Sequence, residues 1–138
     1  MIKQIDMKLM RNLNLFAKVT KVSPNHCFIY NATIIFVVPK NKLYQAIGEE
    51  SRNLKKMSDI IGKKTRVVSV PEGLKDAESF ISTIVHPIEL NSVEVQGNML
   101  IINATSQNKA MLIGRNKTRL EEMKKIIKSY FGKELKIV

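Results

Sequence analysis

Apolar residues recur along the chain first at helical and then at strand spacing, and the cycle is run through twice. Leu9, Leu13, Phe16 and Val19, with Met10 and Ala17 alongside, form a stripe at the helical period that leaves Lys8, Arg11 and Lys18 outside it, which predicts a helix over 5–20. Ser23-Pro24-Asn25 breaks it. Residues 27–30 and 33–38 are β-rich runs joined by Asn31-Ala32, the pattern of a tight hairpin, and Pro39 closes the second run. A short helix over 43–47 is predicted to stop at Gly48. Ser51 is predicted to cap the next helix, whose inward positions are Leu54, Met57, Ile60 and Ile61. Gly62 ends that helix, and 65–70 reads as a third strand.

Pro71-Glu72-Gly73 is the one obvious boundary. Beyond it Phe80, Ile81, Ile84 and Val85 share a helical face that Pro87 terminates. Residues 92–95 and 99–104 form a second hairpin around Gln96-Gly97-Asn98. A short helix over 107–113, a long one over 118–131 and a closing strand over 134–138 complete the chain, with Leu120, Met123, Ile126, Ile127, Tyr130 and Phe131 inward on the long helix. Each half therefore reads helix, strand, strand, short helix, glycine turn, long helix, strand. An offset of 66 residues matches Ile47 with Ile113, Gly48 with Gly114, Leu54 with Leu120 and Met57 with Met123. Repetition at a fixed offset is the mark of a duplicated unit.

Composition narrows the function. With no Trp and 6% aromatic residues, the core must be mainly aliphatic. The longest unbroken apolar run, 34–38, is far too short to span a bilayer, and the N-terminus lacks the pattern of a signal peptide, so a cytoplasmic protein is expected. The net charge of +11 points to a polyanion, nucleic acid before an anionic membrane surface. Residues 1–70 carry 13 basic and 4 acidic side chains, 71–97 carry 1 and 5, and 98–138 carry 9 and 3. Cys27 is the only cysteine, which fits a reducing compartment. With His26 beside it and His86 remote there is no zinc-ligand spacing, and the pair reads as a buried strand cysteine next to a surface histidine. A phosphate-cradling GxxxxGK[ST] loop, a metal cluster and a Ser/His/Asp pattern are all lacking, so neither an enzyme nor a cofactor is expected.

The order of elements, with Ile-Gly-x-x-x at each helix–helix turn, resembles the type II KH domain in tandem, and more closely the archaeal NusA-like KH family. The resemblance runs from Leu15-Phe16-Ala17-Lys18-Val19-Thr20 through Ile34-Ile35-Phe36-Val37-Val38, Ala46-Ile47-Gly48 and Ile61-Gly62-Lys63-Lys64-Thr65-Arg66-Val67-Val68 to Leu112-Ile113-Gly114-Arg115-Asn116, nearly the whole chain. It implies an α/β (α+β) protein of two domains, 1–70 and 71–138, each a three-stranded sheet packed with helices on one face. It further implies binding of single-stranded, nascent RNA in transcription elongation, termination or antitermination, with RNA polymerase as a possible partner.

A KH loop, Gly-x-x-Gly, clamps about four nucleotides of single-stranded backbone. Here both copies lack the second glycine: the first reads Gly48-Glu49-Glu50-Ser51 and the second Gly114-Arg115-Asn116-Lys117. A helix start offers N–H groups and positive dipole to phosphate. Arg115 and Lys117 keep the matching sign, whereas Glu49 and Glu50 oppose it. The candidate RNA-contacting residues are accordingly Ile113, Gly114, Arg115, Asn116, Lys117, Thr118 and Arg119 in the second half, and Gly48, Arg52, Lys55 and Lys56 in the first. The alternatives are a scaffold in which the KH pair docks on RNA polymerase or a ribosomal component, and a helix-turn-helix DNA binder. The strands flanking each helix pair argue against the last.

Overall fold

The computed structural model describes residues 7–138; the first two positions of the helix expected over 5–20 lie outside them. The chain divides into two compact units with the boundary between Val70 and Pro71.

The first unit runs α1 (Met7–Thr20), β1 (His26–Tyr30), β2 (Thr33–Val38), α2 (Leu43–Ile47), α3 (Arg52–Ile61) and β3 (Thr65–Ser69). Its sheet has the order β1-β2-β3. The β1–β2 pair is antiparallel and turns at Asn31 and Ala32, both at positive φ (51° and 59°), the backbone whose twist suits a two-residue hairpin. The β2–β3 pair is parallel and needs a crossover, which α2 and α3 supply. The two helices are thus the link between neighbouring strands of one sheet, not a free helix-turn-helix.

The core of this unit is Phe16 stacked on Phe36, ring centroids 4.3 Å apart, among Cys27, Ile34, Val38, Ala46, Met57 and Val67. Thr20 ends α1 as a satisfied buried polar group: its hydroxyl donates to the Phe16 carbonyl at 2.8 Å and accepts the Val22 N–H at 3.1 Å. Two expected inward positions lie outside instead. Met10 is 42% and Ile60 53% exposed, because each lies at the margin of the buried stripe. Every position of β2 is buried, Ile35 and Val37 as completely as Ile34 and Phe36. An uninterrupted Thr-Ile-Ile-Phe-Val-Val run is the composition of a strand withdrawn from water on both faces, not of an alternating one.

The second unit repeats this with α4 (Ala77–Val85), β4 (Ser92–Gln96), β5 (Met99–Asn103), α5 (Ser106–Ile113), α6 (Thr118–Phe131) and β6 (Glu134–Ile137). Strand order and directions are the same. Even the hydrogen bond beyond the hairpin recurs at the offset of 66: Asn25 N–H donates to the Val37 carbonyl, and Asn91 N–H to that of Asn103, each at 2.7 Å. The offset then changes. Ile34 pairs with Thr65, but its counterpart Leu100 pairs with Leu135, so four residues, about one helical turn, have been added within α6. That extra turn carries Tyr130 and Phe131, on which Phe80 of α4 packs at 5.0 and 5.9 Å. Among the described residues no helix is long and apolar enough to cross a membrane.

Candidate nucleic-acid interface

Each helix pair is joined by the same four-residue turn. Gly48 and Gly114 stand at φ/ψ of 81°/163° and 75°/173°, a region open essentially only to glycine. Their hydrogen atoms also make room for the helix that follows. A Cβ on Gly48 would lie 3.0 Å from the Asn53 side chain, and one on Gly114 would lie 2.9 Å from that of Arg119. Those two side chains perform one task at equivalent positions: Asn53 Nδ2 donates to the Gln45 carbonyl and Arg119 to the Met111 carbonyl, each at 3.1 Å, tying the long helix back to the short one. A polar side chain directly before the first apolar position of the long helix gives no signal of this in the sequence; only the repeat offset aligns the two.

The next positions explain how the turn survives without its second glycine. Glu50 and Ser51, and equally Asn116 and Lys117, hold left-handed conformations at φ between 54° and 61°. Ser51 therefore does not cap α3 through its hydroxyl as expected. A capping serine needs extended backbone to reach the N–H groups ahead, and at φ 60°, ψ 26° it makes no such bond. The backbone closes the turn instead, with Ser51 N–H donating to the Gly48 carbonyl at 3.1 Å and Lys117 N–H to the Gly114 carbonyl at 3.2 Å. In the second turn the Thr118 hydroxyl adds a bond to the Arg115 carbonyl at 2.8 Å.

The two turns share a backbone and differ in charge. Arg115, Asn116, Lys117 and Thr118 are exposed, Ile113, Gly114 and Arg119 half-buried, so the candidate residues of the second half are gathered on one surface turn. In the first half Arg52, Lys55 and Lys56 are exposed along α3, but Glu49 and Glu50 are exposed ahead of them.

No family model matches the chain. Two curated relatives do. A probable transcription termination protein NusA of Methanococcus vannielii is 35% identical over 92 residues, covering 65% of this chain and 51% of that protein. Its namesake in Methanocaldococcus jannaschii is 25% identical over 122 residues, covering 86% of this chain and 65% of that protein. The chain is thus similar to archaeal proteins named as probable NusA. It spans about half to two thirds of the length of these relatives. Among solved structures, the crystal structure of APE1850 shares its fold with a TM-score of 0.65 over 97% of this chain and 99% of that one, at 22% identity. The architecture is that of two tandem KH-like domains, strand and helix pair and strand around a glycine turn in each.

The other candidate pair divides between core and rim, with Cys27 buried in β1 and His26 half-buried at its start. Cys27 is buried, and burial pushes its thiol pKa up to about 12, so it is protonated at neutral pH. Desolvation likewise lowers the pKa of His26, favouring the neutral imidazole. The turn itself makes a stability prediction. Gly48→Ala should lower stability by about 1–3 kcal/mol, because the conformation is closed to a Cβ. Ser51→Gly, which removes a left-handed side chain, should leave stability unchanged or raise it by up to about 1 kcal/mol. Urea denaturation of the two variants measures both, and a silent Gly48→Ala would contradict the account.

Proposed function

We propose that this NusA-like chain binds single-stranded RNA, the nascent transcript in particular, through the turn at Gly114–Thr118, and acts as a transcription termination or antitermination factor in the cytoplasm. It is a binding protein in this reading and not an enzyme. The observation that carries it is the pair of superimposable turns, one of which offers Arg115, Asn116 and Lys117 to solvent on the backbone of a phosphate clamp. Charge of +11 and the resemblance to proteins called NusA support the same reading. The acidic first turn favours a second contact, with RNA polymerase or another protein, for Glu49 and Glu50.

Roughly four phosphates held at this turn, at about 0.7 each for a single strand, contribute about −3 to the expected log–log slope of affinity against salt. Fluorescence anisotropy with a labelled oligoribonucleotide over a salt series measures it. A slope near zero would remove backbone electrostatics as the driving force. Stronger binding to duplex DNA than to single-stranded RNA at the same salt would overturn the RNA reading.

A further inference from the structure

If the second unit clamps backbone with a basic turn, the basic charge of the first must act elsewhere. The described residues of that unit include twelve Lys and Arg against three acids, and two of those acids are Glu49 and Glu50 in the turn. The surface around α2 stands out. Tyr44, in its first turn, is 80% exposed, the most exposed large apolar side chain among those described. Lys40 lies one helical step of four before it and Lys42 two before it, both exposed. Lys21, also exposed, is held close by: its carbonyl accepts from Gln45 Nε2, next to Tyr44, at 3.5 Å.

The duplication supplies an internal control. At the same offset, Lys40, Lys42 and Tyr44 correspond to Ser106, Asn108 and Ala110 in the second unit, which builds the equivalent helix and turn without them. The fold therefore requires neither the aromatic ring nor the two lysines. An exposed ring flanked by cations is the arrangement on which unpaired bases stack while their phosphates are neutralised.

We propose that Tyr44 is a base-stacking platform, with Lys21, Lys40 and Lys42 as its phosphate contacts, and that the first unit holds single-stranded RNA there and not on its acidic turn. The two units then divide the work: stacking on α2 of the first, backbone clamping at the turn of the second. This rests on the RNA-binding reading above, and the experiment separates the two.

The test uses the full chain with single-stranded oligouridine and with the same ribose-phosphate chain lacking bases. Tyr44→Ala should weaken oligouridine binding about five- to a hundredfold, leave affinity for the abasic chain unchanged and leave the melting temperature unchanged. Tyr44→Phe should bind as the wild type does. Lys40→Ser with Lys42→Ser should reduce the salt slope by about 1.4, two contacts at about 0.7 each. If Tyr44→Ala stays within twofold of wild type, or loses as much on the abasic chain, the platform is overturned. The RNA reading nevertheless survives if Arg115→Glu with Lys117→Glu weakens binding in the same assay. A Tyr44→Ala variant that keeps RNA affinity but loses a protein partner assigns the surface to protein docking and overturns the proposal. A wild type that does not bind oligouridine overturns both readings.

Discussion

Arg115→Glu with Lys117→Glu should weaken binding to single-stranded RNA by more than tenfold, equivalent to more than about 1.4 kcal/mol. Both side chains are exposed on the turn ahead of α6, where a phosphate would meet the positive end of the helix. Reversal removes two attractions and installs two repulsions. Neither side chain is part of the core, so stability should change by no more than about 0.5 kcal/mol. The mirror experiment supplies the sign. Glu49→Lys with Glu50→Lys should strengthen RNA binding or leave it unchanged, because the present carboxylates oppose phosphate. It removes acidic residues from a helix start, at up to about 1 kcal/mol each in stability. Affinity by anisotropy and melting by calorimetry, on the same two double variants and the wild type, keep the two effects apart. If the reversal at 49 and 50 abolishes binding while that at 115 and 117 is silent, the assignment of the two turns is inverted.

The second large effect is on the fold. Phe36→Ala should lower stability by about 3–5 kcal/mol, a large part of the roughly 5–15 kcal/mol that holds a domain folded. Phe36 is at the centre of the middle strand, paired with Cys27 on one side and Val67 on the other, fully buried, with its ring stacked on Phe16 at 4.3 Å. With an aliphatic core around them, these two rings leave a void that smaller neighbours cannot refill. Urea unfolding with and without the substitution measures the loss; a change below about 1 kcal/mol would show the site to be far more plastic than its packing indicates.

Much of this architecture is legible in the sequence because its elements are separated by strong punctuation. Asn31-Ala32, Gly62, Gly97 and Gly132 each mark a turn or a helix end by needing positive φ, and β2 consists entirely of β-formers. The run 33–38 and the helix 118–131 are found at the expected residues. What was not legible is where one signal has two possible causes. A serine before a helix reads as a cap, but the left-handed turn turns Ser51 away from that role. Ile60 fits helical spacing, yet α3 is ten residues long and buries only a narrow stripe, so the isoleucine at its margin stays wet. The glycine at each turn reads as room for RNA backbone, whereas the structure shows room already needed for Asn53 and Arg119. That double use means the glycines alone do not identify an RNA site, and the case rests on the exposed cations beside Gly114. Tyr44 is illegible for the opposite reason: in a single sequence an aromatic in a short apolar helix reads as core, and only its exposure and the alanine at the equivalent position set it apart.

The most direct test of the central claim follows backbone amide chemical shifts of the full chain during titration with a short single-stranded RNA. The account predicts saturable shifts for residues 114–119, with residues 48–51 unmoved by the same RNA. Shifts confined to residues 48–51, with 114–119 silent at saturation, would contradict it.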